Sequence, residues 1–186
     1  DRASDDTYLV ALTAINSAGT STNFEFTLYY GLLKLITDRT QADVDRVASL
    51  AQKGYGAMTD AEKTEWNAGL KGAYNATDLN RVGSAVNYVA GRLNAQGYAV
   101  TVSPKIDWQM TDIPTPAQLA AYLADVAAIR AALAVYEETP ETPADMEKLT
   151  FAEANDIERI LLDVDALITN MMAAWYYAGE LYSGEV

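Results

Sequence analysis

The sequence predicts a mainly α protein: an antiparallel helical bundle of about five helices with an N-terminal β-hairpin. Three observations predict it. Apolar residues recur at three- and four-residue intervals along three long stretches, from Leu79, from Leu119 and from Ala154. Four stretches open with a helix-start signature, at Thr40, Thr59, Asn75 and Thr115. Strict alternation of apolar and polar residues is sustained only within residues 7–30. The boundary between the two parts is placed at 33/34, with 1–33 holding the hairpin and 34–186 the bundle.

Element by element, Tyr8, Val10, Leu12 and Ala14 fall on one side of a first strand, and Phe24, Phe26, Leu28 and Tyr30 on one side of a second. Between them "NSAGTST" supplies turn residues, with Gly19 free to take a positive φ. A hairpin of two strands is marginal in water, and one with large apolar residues on a face invites edge pairing. Its face must therefore be covered by the helical part, by strands upstream in a longer polypeptide, or by another copy of the chain. The expectation drawn from this is that Asp1 is not a native start.

Thr40-Gln-Ala-Asp43 opens the first helix, with Val44, Val47, Leu50 and Ala51 on one face and Gly54 as its stop. Thr59-Asp-Ala-Glu62 is a capping box before a short helix carrying Trp66 and Leu70. A third helix opens at Asn75-Ala-Thr77-Asp78, buries Leu79, Val82, Val86, Val89 and Leu93, and ends at Gly97. "YAVTVSPKIDWQM" reads as a short extended piece or small hairpin. Thr115-Pro116 starts the next helix, with proline where its missing N–H costs nothing and a stripe of Leu119, Tyr122, Leu123, Val126, Ile129 and Leu133. After the proline-broken acidic loop "YEETPETPADM", the longest helix begins near Thr150. It places Ala154, Ile157, Leu161, Val164, Ile168, Met171 and Trp175 on one seam. Short loops joining such helices give bundle geometry.

Composition narrows the chemistry. With no Cys and no His, thiolate and imidazole catalysis, disulfides and Cys- or His-ligated metal centres are excluded. An enzyme would be left with a carboxylate pair, a lysine-based site or an oxygen-ligated Mg²⁺ or Ca²⁺. Neither a GxxxxGK[ST] nor a GxGxxG loop is present, so no phosphate cradle is written. The nearest calcium candidates, "DRASDD" and "DVDRV", lack EF-hand spacing, and no metal or cofactor is assigned. Thirteen Lys+Arg against 26 Asp+Glu, a net charge of −13, leave little for a nucleic-acid stripe and repel anionic lipid. A basic or sugar partner fits that field better. No apolar run approaches the roughly 20 residues of a membrane span.

Candidate acids are Glu62 and Glu65 on one helix, Asp163 and Asp165 on another, and Glu137, Glu138 and Glu141 in the acidic loop. A glycosidase needs two carboxylates roughly 5–10 Å apart across a cleft, and solvated helix faces are the plainer reading of these. Asp163 flanks the apolar seam, where burial is expected. "DVDRV", "DLNRV" and "DIERI" share the form Asp-Φ-x-Arg-Φ, so Arg46, Arg81 and Arg159 are expected to reach back to Asp43, Asp78 and Asp156. The bland reading is reused helix-start grammar; the sharper one is a shared carbohydrate or ion site. No catalytic residue is assigned. The candidate contact patch is aromatic: Phe24, Phe26, Tyr30, Trp175, Tyr176, Tyr177 and Tyr182.

Two resemblances complete the reading. Tyr8-x-Val10-x-Leu12-x-Ala14-Ile15-Asn16-Ser17-Ala18-Gly19-x-Ser21 resembles the last two strands of a fibronectin type III-like or immunoglobulin-like domain. The strings "ITDRTQADVDRV", "GAYNATDLNRVGSAVNYVAGRLNAQGY", "DWQMTDIP", "LTFAEANDIERILLDVDAL" and "AWYYAGELYSGEV" are similar to the C-terminal region of tail-associated structural proteins of phages and prophages from gut Gram-positive bacteria. That resemblance implies a non-enzymatic structural or adhesion module, located in the virion tail or outside the cell. Its partners would be other copies of itself, the upstream part of a longer polypeptide, or a surface glycan or host surface protein. Neither nucleic acid nor membrane insertion is among them. The alternatives are a carboxylate-based glycosidase or accessory module of a cell-envelope hydrolase, and a bacterial secreted or surface protein.

Overall fold

The computed structural model describes residues 34–182, the last eight as helix backbone, and before them only the backbone of residues 7–15 and 21–29. By compactness the chain divides into two units, Asp1–Lys34 and Leu35–Val186. In the first unit β1 (Thr7–Ile15) and β2 (Ser21–Tyr29) pair antiparallel, in a register that sets Val10 opposite Phe26 and Leu12 opposite Phe24. The turn between them, Tyr30, and the side chains of Phe24, Phe26, Trp175, Tyr176, Tyr177 and Tyr182 lie outside the described residues. The aromatic contact patch read from the sequence therefore falls there entirely.

The second unit is mainly helical: α1 (Gln41–Lys53), α2 (Asp60–Ala68), α3 (Ala76–Ala95), α4 (Pro116–Ala131) and α5 (Phe151–Tyr182). A single 3₁₀ turn, Tyr55–Ala57, joins α1 to α2. All five helices start the same way. The side chains of Thr40, Thr59, Asn75 and Thr115 accept from first-turn N–H groups, while Asp43, Glu62, Asp78 and Gln118 reach back to the cap backbone. Thr150 and Glu153 exchange the same two bonds before α5, at 3.2 and 2.8 Å. Each box satisfies N–H groups that the helix itself leaves orphaned. Gly69, at φ 90°, stops α2 in a backbone region that side chains with a Cβ avoid.

The core is a three-helix packing in which α3, α4 and α5 each touch the other two. Leu79, Val82, Val86, Val89 and Leu93 from α3 meet Tyr122, Leu123, Val126 and Ile129 from α4 and Ile157, Ile160, Leu161, Val164 and Ile168 from α5. These positions repeat at three- and four-residue steps, which sets one stripe of each helix against its neighbours. Burying a side chain of this size stabilises by roughly 1.5–3 kcal/mol. Of α1 only Leu50 is fully buried, and α2 buries none of its side chains.

Four expectations need correction. Leu70 and Leu133 lie beyond the ends of α2 and α4, because Gly69 and a turn at Ala132 stop those helices first. Ala51 is exposed, since α1 stands at the edge of the core with Val44 and Val47 only half covered. Residues 98–109 pair with no strand, which rules out the small hairpin of the two readings: the Asn94 amide takes both backbone groups of Val100, and Ser103–Pro104 follows without a ladder. The connections α3–α4 (96–115) and α4–α5 (132–150) are long rather than short. Each is held down by buried residues of its own, Trp108 in the first and Thr139 in the second, which is what lets loops of this length stay ordered.

Candidate functional site

The most concentrated polar chemistry in the second unit lies where the segment before α1 crosses α3 and α5. Arg39 is 3% exposed, Asp78 5% and Glu158 0%. Arg39 Nη2 donates to Asp78 Oδ1 at 2.9 Å and to Glu158 Oε1 at 2.6 Å. Arg81 Nη2 donates to the same two oxygens at 2.6 and 2.8 Å, and its Nε to Glu158 Oε2 at 3.2 Å. Two guanidinium groups and two carboxylates thus close a neutral square. Isolated charges at such depth would be prohibitive, and mutual pairing with full hydrogen bonding is what permits them.

Backbone groups complete the cluster. The Ile36 N–H donates to Glu158 Oε2 at 2.6 Å, Arg39 Nε donates to the Lys71 carbonyl, and Arg39 Nη1 donates to the Ile36 carbonyl. Asn155 takes Arg39 from both sides, accepting from its N–H at 3.0 Å and donating to its carbonyl at 2.9 Å. Asp78 does double duty: Oδ2 caps α3 through the Asn75 N–H at 2.9 Å, which leaves Oδ1 for the arginines. Burial alone would lower the Arg81 pKa, but the Glu158 and Asp78 hydrogen bonds outweigh it and raise it above its ordinary value. Below the guanidinium of Arg39 lies the Tyr74 ring, its centroid 5.3 Å away, and the Tyr74 and Tyr122 hydroxyls meet at 2.5 Å. Burial pushes both phenols above their usual range, so neither supplies a phenolate at neutral pH.

Chemically this arrangement holds; it offers no open position. Every carboxylate oxygen in the square already accepts a bond, and both acids face fixed cations. The structure brings together one of the three expected Asp–Arg pairs. Asp78 and Arg81 bond across one turn, but Arg46 turns to Glu65 on α2 at 2.5 Å and Arg159 turns forward to Asp163 at 2.7 Å. Asp43 is spent on the Thr40 cap, whose hydrogen bonds chiefly lower its pKa. Burial raises that of Asp156. The reach-back expectation is overturned at two sites because a better-placed partner was within reach of each arginine.

The remaining candidate acids are scattered. Glu62 accepts from Lys53 Nζ and the Thr59 N–H, which hold its pKa down to about 2, the lysine contributing most. Glu65 is held low by Arg46. Asp163 is buried, accepting from Thr139 Oγ1 at 2.8 Å and Arg159 Nε, and so pins the acidic loop to α5. Asp165 pairs with Arg92 of α3. Glu141 pairs with Arg130 at 2.6 Å, while Glu137 and Glu138 are exposed. Among the described residues, no cluster of three or more acids is placed to hold a metal ion, and no helix is long and apolar enough to cross a membrane.

Sequence reasoning missed Arg39 and Glu158. For Glu158 a signal existed: it sits four residues after Ala154 and three before Leu161, on the apolar seam itself. Arg39 carries no such mark, because it precedes α1 and follows no period. No family model, curated protein or solved structure matches the chain.

Proposed function

We propose that the chain is a non-enzymatic structural or adhesion module, tail-associated in a phage virion, that works through protein assembly or weak contact with a host surface. The observation that carries the non-enzymatic part is the commitment of its buried acids. Asp78, Glu158 and Asp163 are each locked to an arginine, and Asp78 and Glu158 share two guanidinium nitrogens, Nη2 of Arg39 and Nη2 of Arg81, instead of facing each other across a cleft. A glycosidase pair needs a sugar between its carboxylates and one of them free to carry a proton. The virion part rests on the resemblance of the five sequence strings, and the lack of His, Cys and phosphate loops agrees with it.

In this reading residues 7–30 are the closing hairpin of a fibronectin-like or immunoglobulin-like module. Strands from an upstream segment or a second copy cover Phe24, Phe26 and Tyr30, and Trp175, Tyr176, Tyr177 and Tyr182 form a contact patch on α5. The test is a fractionation of an induced lysogen carrying this sequence. Peptides of the chain are expected in purified particles, and an antibody against residues 34–182 is expected to label tails. Peptides confined to the cell envelope or to particle-free medium would overturn the virion assignment. Release of reducing sugar from cell-wall glycan by the purified chain would overturn the non-enzymatic one.

A further inference from the structure

Apolar residues of α5 step at three and four along nearly its whole length: Ala154, Ile157, Leu161, Val164, Ile168, Met171, Trp175, Ala178 and Tyr182. That is the a/d spacing of a coiled-coil seam, kept without a break. Its first part is spent inside the bundle, where the seam residues from Ala154 to Ile168 are buried. Beyond Ile168 the cover thins. Met171 is half-buried, Met172 is 45% exposed, and Ala173 and Ala174 are exposed. Arg92, in the last turn of α3, donates to Thr169 Oγ1 at 3.1 Å and to Met172 Sδ at 3.7 Å, and Asn170 Nδ2 donates to the Tyr136 hydroxyl at 3.0 Å. Among the described residues these are the last bonds from α5 to another part of the bundle. There α3 ends, at Ala95, while α5 runs on from Met172 to Tyr182, about 15 Å at ~1.5 Å per residue.

Charge marks the same part of α5. Charged residues make up 21% of the chain, yet residues 166–179 contain none. Ala166, Thr169, Asn170, Met172, Ala173 and Ala174 are nonetheless exposed. A helix flank that faces only water normally carries charge. Interface cores are depleted of it, because a charged side chain there would have to shed its water. A basic partner would find no carboxylate to pair with on this flank, and α5 is neither long nor apolar enough to cross a membrane. Two copies of a chain with net charge −13 repel one another at most faces, and here they can meet without opposing charges. What matches an uncharged a/d seam is another one, and a second copy supplies it at identical spacing.

We propose that α5, from Met171 to its end, pairs seam to seam with the same stretch of a second copy, making the chain a homodimer. Four aromatic rings, Trp175 and Tyr182 from each copy, at roughly 150–250 Å² apiece, together with two Met171 side chains, reach the ~1,000 Å² that a specific interface needs. The inference rests on the assembly half of the proposed function and not on the virion half: a dimer absent from particles, or a monomer found in them, would separate the two. In sedimentation equilibrium of the full chain the mass is expected to rise from 20.2 kDa to twice that value. Ala178→Glu and Ala178→Lys, each placing like charges across the seam, are expected to weaken association at least tenfold, on the order of 1.4 kcal/mol. An equal mixture of the two variants is expected to restore the doubled mass, which a merely unravelled helix end would not do. Ala173→Glu, exposed and about 140° round the helix from Ala178, is expected to leave the dimer intact. A wild-type mass that stays at 20.2 kDa up to ~200 μM overturns the proposal, and co-sedimentation with phosphatidylcholine vesicles would then assign the face to lipid. A dimer untouched by both Ala178 variants, or a mixture that stays monomeric, overturns it as well.

Discussion

Glu158, itself 0% exposed, receives three side-chain hydrogen bonds from two arginines and a fourth bond from the backbone of Ile36. Removing its charge leaves Arg39 and Arg81 facing Asp78 alone, so one positive charge stays uncompensated in the interior. Glu158→Gln is therefore expected to lose about 3–5 kcal/mol in urea unfolding. Arg46→Ala, at the position in the first Asp-Φ-x-Arg-Φ string that Arg81 holds in the second, is expected to leave the urea midpoint nearly unchanged. Its partner Glu65 sits in solvent, where ion pairs are weak. The three strings look alike, and what separates them is depth, which neighbouring letters do not encode. A seam running through Glu158 is a legible warning of a buried charge; the partner that neutralises it is not legible, since Arg39 stands 119 residues away.

At the scale of elements, helix starts were the most readable feature, because a cap is a local contract between a residue and the one three places on. Thr59/Glu62 and Thr115–Pro116 state their helices in four letters. Helix ends and connections were less readable, since they answer to tertiary contacts. The link between α2 and α3 shows this: a Cβ on Gly72 would fall 2.2 Å from the Asp43 carbonyl oxygen, so the chain passes flush against the first turn of α1. Gly72→Ala is expected to destabilise by about 1–3 kcal/mol. Gly91, exposed within α3 with open space around its Cβ position, should respond with the opposite sign. Gly91→Ala is expected to stabilise by about 0.5–1 kcal/mol, and thermal melts of the two variants check the pair.

For the whole molecule, a net charge of −13 spread over a surface whose interior square is neutral separates two electrostatic regimes. Surface repulsion is screened by salt, and the buried pairs are not. The melting temperature is expected to rise as NaCl is increased from ~10 mM to ~0.5 M; a fall would mean that exposed ion pairs outweigh the repulsion. The mainly helical class was legible because three long periodic stretches leave few alternatives. Those same stretches are α3, α4 and α5, which form the core; that Val44 and Val47 of α1 would be only half covered was not legible, since their spacing matches that of a buried stripe.

The clasp of Ile36 and Arg39 by Glu158 and Asn155 also sets how tension travels. A tug on the polypeptide ahead of Ile36 is delivered to the early turns of α5 before α1 feels any strain. Mechanical stress on the amino-terminal side would thus be borne by the middle of the helical stack, and the two marginal helices would be spared from peeling.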